Sequence, residues 1–393
     1  MEERKTGIQQ LDYTLLFLLF VLICFSLLAI YSGSGQYHSD PMHFVKLQLI
    51  WLAAGLIAMI CVIVIDYDLL KNFSIILYGI GIVALLLVSF SPLGVHKKGA
   101  TRWLDLYFIE VQPSEIMKIF LIIALAHLLS RITSQRVERD FKADLIIVAK
   151  VFAVGLPPFF LILKQPDLGT ALIILSVIAT MLLVSGVSWR ILSLLALSGL
   201  LGIVVLVWLH NHHFELFSKI IEEHQLERIY GWLAPYEYQS SYGYQLVMAL
   251  RGIGAGQLYG SGYLQGMQTQ SDNIPEIHTD FIFTVIGEEF GFIGATILIV
   301  TYFLMFYRMI IIALTCNNLF GTYLVSGVIG LLVFQVFQNI AMTIGLMPIT
   351  GIALPFISYG GTALITNMIA IGIVLNVNMR TKHYMFETEE RVG

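Results

Sequence analysis

Charge is what this chain has least of. Only 12% of its 393 residues are Asp, Glu, Lys or Arg, against about 25% in an ordinary globular domain, and 58% are hydrophobic against about 45–50%. No soluble core absorbs that much apolar surface. Cysteine is scarce as well: Cys24 and Cys61 fall inside apolar runs and Cys316 in a short turn, so no disulfide framework is visible. The net charge of −4 is not gathered into a basic or acidic tail, which removes nucleic acid as an expected partner. No polar stretch of domain size interrupts the apolar runs between Tyr13 and Val377, so residues 1–393 are read as one membrane domain. Arg4 and Lys5 precede the run 13–31 as they would in a signal peptide. That run exceeds the usual 7–15-residue signal core and is long enough to span, so a retained first helix is expected.

What is there is a series of apolar stretches near the ~20 residues a spanning helix needs. They lie at 13–31, 43–65, 74–92, 109–130, 145–163, 168–186, 190–209, 280–306, 319–345 and 357–379. The predicted fold is therefore an all-α polytopic membrane protein of about ten spans, with a large loop, 210–279, between the seventh and eighth. An even number puts both termini on one side. With the N-terminus inside, cytoplasmic segments collect twelve Lys and Arg and outer segments seven, which favours N-in and C-in. Lys97, Lys98 and Arg102 still fall in one short outer loop, where the rule disfavours positive charge. In the long loop, Tyr230, Trp232, Tyr236, Tyr238, Tyr242 and Tyr244 are interleaved with polar residues, as in amphipathic helices at an interface. A run of glycines, Gly252 to Gly266, then permits tight turns.

Polar groups that had a cheaper apolar alternative carry the functional information in such a chain. Glu115 and Lys118 are i and i+3 in the fourth span, so they pair either as a structural element or as part of a cationic site with Arg102, Lys97 and Lys98; Trp103 reads as an interfacial anchor or a neighbour of that site. Asp167, after Gln165-Pro166, either caps the following helix or belongs to the site. Asp280 sits where the long loop meets the eighth span, with Glu276 and His278 beside it and Thr279 available as a cap. A carboxylate there is partly desolvated, the condition that suits a general base; the plainer reading is a helix-start residue favoured by the dipole. Glu288 and Glu289 are expected some two to three turns deeper, paired structurally or coupling a proton or ion. The Gly- and Pro-rich stretch from Asn339 to Thr362 breaks the backbone at membrane depth, where it either forms a structural turn or lines a cavity. Ser358, Thr362 and free amides there could meet an anion or sugar.

These segments together resemble the SEDS family, named for shape, elongation, division and sporulation. The likeness runs over essentially the whole chain. It is carried by Gln112-Pro113-Ser114-Glu115, by Gln165-Pro166-Asp167-Leu168-Gly169, by Pro275 to Phe283 and by Asn339 to Thr362. The stretch Arg228 to Gln239 resembles the elongation-type RodA branch more than the division-type FtsW branch. Ile277 and the pair Thr362-Ala363 depart from the family pattern without touching the expected chemistry.

The resemblance implies a peptidoglycan glycosyltransferase that polymerises lipid II at the outer face of a bacterial cytoplasmic membrane, for cell elongation and shape. It also implies a class B penicillin-binding protein as partner, supplying the transpeptidase. Asp280 matches the family's essential aspartate and is the expected base for the acceptor sugar's 4-hydroxyl. Arg102 and Lys118, with Arg251, would hold the lipid diphosphate, and Glu115 would orient Lys118. No metal-ligand set and no certain cofactor are expected; a divalent cation, magnesium or manganese, could accompany the diphosphate. The competing readings are a lipid II flippase, which intramembrane charges and broken helices also suit, and a non-catalytic cell-wall scaffold.

Overall fold

The computed structural model describes residues 11–35, 40, 42–91, 94–97, 100–105, 110–135, 141–219, 221, 223–271 and 273–390. The chain runs through α1 (Tyr13–Gly33), α2 (His43–Val64) and α3 (Tyr67–Phe90) into three short strands, β1 (Gly94–Lys97), β2 (Ala100–Asp105) and β3 (Glu110–Val111). It continues through α4 (Pro113–Ser134), α5 (Phe141–Lys164), α6 (Leu168–Val184) and α7 (Trp189–His212). The long loop holds α8 (Phe214–Phe217), α9 (Glu223–Leu233), α10 (Tyr244–Gly256) and α11 (Met267–Gln270), and the chain ends in α12 (Ile282–Glu289), α13 (Gly291–Thr315), α14 (Leu319–Thr343) and α15 (Gly361–Glu390).

Among the described residues, nine helices are long and apolar enough to cross a membrane. The tenth expected span is α6, an apolar helix of 17 residues at the short limit of the spanning range. Length and hydropathy explain why these segments are helical: in hydrocarbon every backbone N–H and C=O must find a partner within its own segment. The centre is built by α4, α14 and α15. In α14 and α15, 72% of the most apolar window is buried within the protein, whereas in α7 only 6% is. α15 packs on α2, and α14 packs on α4 and α6. Asp12 caps α1 through Leu15 N (3.0 Å) and pairs with Arg308 near the end of α13 (2.7 Å), and Asp66 pairs with Arg380 of α15 (3.0 Å). These pairs bring the start of α1 and the later part of α15 to the same end of the bundle.

Two departures from the expected all-α pattern bear on function. The short loop after α3 is an antiparallel three-stranded sheet, with β2 between β1 and β3, rather than an irregular turn. The eighth span is not one helix over 280–306. It breaks at Phe290–Gly291, where Gly291 takes φ +63°, and the spanning part is α13 alone. The glycine-rich loop after α10 stitches this break. Gln257 O and Leu258 O accept the first-turn amides Phe292 N (2.9 Å) and Ile293 N (3.2 Å) of α13. Ser261 N and Gly262 N donate to the last carbonyls of α12, on Glu288 (2.9 Å) and Glu289 (3.2 Å). The orphan groups of two helix ends are thereby satisfied by one loop. A side chain on Gly260 would collide with the Glu289 carbonyl 2.1 Å away, so the stitch needs glycine.

Candidate active site

Segments far apart in sequence meet at the end of the bundle where α4, α6 and α12 begin. The first is the turn into α6. Asp167 is buried and caps the helix: Oδ1 accepts Thr170 N (3.2 Å) and Oδ2 accepts the Thr170 hydroxyl (2.9 Å). Gln112, just before α4, donates Nε2 to the same Oδ2 (3.2 Å), and Arg102 of β2 lies 3.7 Å from Oδ1. Arg102 also donates Nε to Gln165 O (3.2 Å) and a terminal nitrogen to Pro166 O. The sheet missed by the sequence reading is therefore what carries Arg102 onto this turn. Gln165 in turn donates to Leu85 O and Ser89 Oγ of α3, both at 3.0 Å.

The second is the broken backbone between α14 and α15. A Cβ on Gly169 would lie 2.6 Å from Ile352 and 3.0 Å from Thr350 O, so the first turn of α6 rests directly on this segment. Gly351 adopts φ +71°, and a Cβ there would lie 3.3 Å from Asp280 Oδ2. Asp280 therefore faces the same turn from the other side. Asn339 of α14 clamps the two chains, donating Nδ2 to Asp280 O and to Ile352 O, each at 2.7 Å. Ser358 donates to Thr279 O (2.6 Å) and accepts Leu354 N (2.8 Å). Its hydroxyl is a staple between segments, where an anion or sugar contact had been the alternative. Thr362 is half-buried at the start of α15. One helical position from Asn339, Gln338 is buried with neither side-chain polar atom partnered, and Gln335 has an unpartnered Oε1, so polar groups continue along α14.

The approach to α12 completes the mouth. Asp280 is partly exposed and lies outside the helix, whose N-cap is Phe281 with no side-chain cap. Thr279, expected as a cap, instead donates to Glu276 Oε2 (2.9 Å) and Glu276 O (3.1 Å). His278 is buried, its ring 4.7 Å from Phe44 and 5.7 Å from Tyr359.

Of the expected cations, Lys118 is fully buried and donates to Glu115 at 2.7 Å, one turn below Gln112. Arg251 is exposed on α10, and Trp103 is half-buried on β2. Lys98 and the side chain of Lys97 lie outside the described residues. Arg228 of α9 was absent from the expected site. Burial and the charge of Arg102 push its guanidinium down from the ordinary arginine value, while Asp167 and Asp280 pull it up, so it stands in the field of all three. A signal for it existed. Arg228 is one of the positive charges on the outer side, discounted because long loops weigh little in the orientation rule. Trp232 of the same helix donates to Gly345 O (2.8 Å), tying α9 to the end of α14.

Glu288 and Glu289 do not lie deep within a spanning helix; they are the last turn of α12, before the break. Glu288 accepts Gln268 N (2.8 Å), Thr269 N (2.7 Å) and Thr269 Oγ1 (2.7 Å), and Glu289 accepts Ser32 Oγ (2.5 Å). Glu288 thus holds the start of α11, and the feature that favoured coupled transport is a loop anchor. Among the described residues no group of three or more His, Cys, Asp or Glu is placed to hold a metal ion.

The arrangement is a partly exposed carboxylate against a glycine turn, with Arg102 on the neighbouring Asp167 turn and Arg228 within the electrostatic reach of both carboxylates. A family model described as cell cycle protein, FtsW/RodA/SpoVE, matches residues 13–383. The chain is 33% identical to stage V sporulation protein E of Bacillus subtilis, covering 95% of this chain and 98% of that one. It is also 33% identical to the peptidoglycan glycosyltransferase MrdB of Escherichia coli, over 95% and 94%. A chain solved in a peptidoglycan synthase complex coordinating polymerization and crosslinking superposes with TM-score 0.77 at 29% identity, over 94% of this chain and 98% of that one. Rod shape determining protein RodA of Thermus thermophilus superposes at 0.67 and 28% identity, over 94% and 96%. A probable peptidoglycan glycosyltransferase FtsW of Trichlorobacter lovleyi is 33% identical as well, over 94% of each chain, so identity does not separate the RodA branch from the FtsW branch. With the family model matching residues 13–383, this chain belongs to the FtsW/RodA/SpoVE family of cell cycle proteins, the SEDS family.

Proposed function

We propose that this protein is a peptidoglycan glycosyltransferase that polymerises lipid II, with the mouth around Asp280 as its active site on the outer face of the membrane. The observation that carries the reading is the setting of Asp280: partly exposed, outside α12, its Oδ2 against the left-handed turn at Gly351 and its backbone clamped by Asn339. Asp280 takes the proton from the acceptor sugar's 4-hydroxyl as that oxygen attacks the anomeric carbon of the donor. The bond from that carbon to the lipid diphosphate breaks, and the diphosphate leaves with the electron pair. A diphosphate needs cations rather than an acid to depart, so one base suffices.

Arg228 and Arg102 supply the positive field at this mouth, with Arg251 exposed on neighbouring α10. Lys118 is better suited to hold the first turns of α4 through Glu115 than to reach a ligand directly, since it is fully buried. Magnesium or manganese, where turnover uses one, would arrive with the diphosphate; adding EDTA and restoring each ion tests that. The partner expected is a class B penicillin-binding protein, and the stretch Arg228 to Gln239, which begins in α9 and runs on past its end, favours the elongation role over division.

The test is polymerisation by the purified chain supplied with lipid II, with and without a class B transpeptidase. Glycan polymer from the wild type and none from Asp280→Asn is the expected result. Movement of lipid II across vesicles without polymer would replace the reading with the flippase.

A further inference from the structure

At the opposite end of the bundle a cavity of about 840 Å³ opens between α3, α4, the start of α14 and α15. Its wall includes Lys71 and Asp68 from α3, His127 and Arg131 from α4, Asn318 ahead of α14 and Thr381 from α15. Arg131 is 16 residues along α4 from Glu115, about 24 Å at ~1.5 Å per residue, so the cavity is remote from Asp280.

Charge distinguishes this cavity. The carboxylates around it are already engaged: Asp66 pairs with Arg380 at 3.0 Å, and Asp68 accepts Asn318 Nδ2 at 3.3 Å. Lys71 and Arg131 are exposed and have no carboxylate within 4.0 Å among the described residues, yet both are close enough for their charges to act on His127. The 25-residue α14 begins at the wall and turns its positive dipole end the same way. Two unpaired cations on facing helices, one a guanidinium able to form a two-pronged bond, match tetrahedral oxyanions. The volume exceeds that of a bare ion and suits a phosphate carrying a substituent.

We propose that this cavity is a binding site for a substituted phosphate, held between the Lys71 ammonium and the Arg131 guanidinium. An anionic phospholipid headgroup and a soluble phosphate compound share this chemistry, and the assay separates them. The full-length protein is placed in phosphatidylcholine nanodiscs, with phosphatidylglycerol or inorganic pyrophosphate added, and binding is measured by native mass spectrometry and calorimetric titration. Binding of either probe, weakened about tenfold or more in K71Q/R131Q, is expected from losing charge-assisted hydrogen bonds. It should survive in K71R/R131K and fall with added salt. Phosphatidylglycerol binding that pyrophosphate does not displace names the lipid source; displacement names the soluble one. Lys46→Gln, at the other end and paired with Asp40 in the wild type, should change nothing. Should K71Q/R131Q fail to fold, Asp68→Asn, which removes a negative charge from the wall, is expected to tighten binding severalfold. Absence of binding by both probes, or binding indifferent to these charge changes, overturns the proposal.

Discussion

Asp167 and Asp280 are two carboxylates at one end of the same bundle, held in opposite ways. Asp167 is 2% exposed, and its oxygens receive Thr170 N, the Thr170 hydroxyl, Gln112 and the Arg102 charge. Its work is to cap α6 and anchor the β-sheet loop. Asp280 is partly exposed and is not the N-cap of α12, which is Phe281; Asn339 grips its backbone carbonyl. A base must be reachable by a proton and fixed in position, and only Asp280 meets both conditions. The two lie across one backbone segment, with Gly169 against Ile352 and Asp280 against Gly351, so the structural carboxylate supports the turn against which the proposed base lies.

The contrast is sharpest in Asp280→Asn, which keeps shape and removes the base: polymerisation should fall by about 10²–10⁴-fold with the unfolding midpoint unchanged. An equal loss in Asp167→Asn at unchanged stability would dissolve the distinction. Next in size is Arg228→Ala, which should lower kcat/KM about tenfold or more through the lost charged contact, with Arg228→Lys recovering part of it. Wild-type turnover in Arg228→Ala would remove α9 from the site. Asp167→Ala should cost about 0.5–2 kcal/mol of stability from the cap, read as a lower unfolding temperature, while polymer yield per folded molecule changes less than in Asp280→Asn. The smallest effect is expected from Gly351→Ala. The left-handed φ costs a side chain about 1 kcal/mol, and the methyl at 3.3 Å presses on Asp280, so turnover should drop severalfold while α6 and its cap stay intact.

Much of this was legible along the chain. Apolar runs of spanning length marked most helices to within a few residues, because a bilayer demands that length whatever the neighbours are. Asp280, Asp167 and the Glu115–Lys118 pair also stood out, since a charged group amid apolar sequence needs a reason. The eighth span was misread because Phe290-Gly291 is too apolar to look like a break; the break survives because the 257–262 loop, from elsewhere in the sequence, satisfies both helix ends. For the same reason Glu288, which is buried, looked set deep within a spanning helix rather than in the last turn of α12. Arg228 was passed over because a loop arginine has no periodicity to betray where it folds back. Ser358 showed as a polar group near the site, but its donation to Thr279 O depends on a contact 79 residues away.

The sequence by itself determined that this is a multi-pass membrane protein and which carboxylate to suspect, because hydropathy and out-of-place charge are local properties of the chain. The tertiary structure decided which charges are engaged and which are not. Lys118 meets Glu115, Arg102 meets the turn before α6, and Lys71 and Arg131 face a cavity. Pairing is a matter of distances between helices, and those are set by packing at glycines such as Gly169 and by clamps such as Asn339, whose partners no local pattern names.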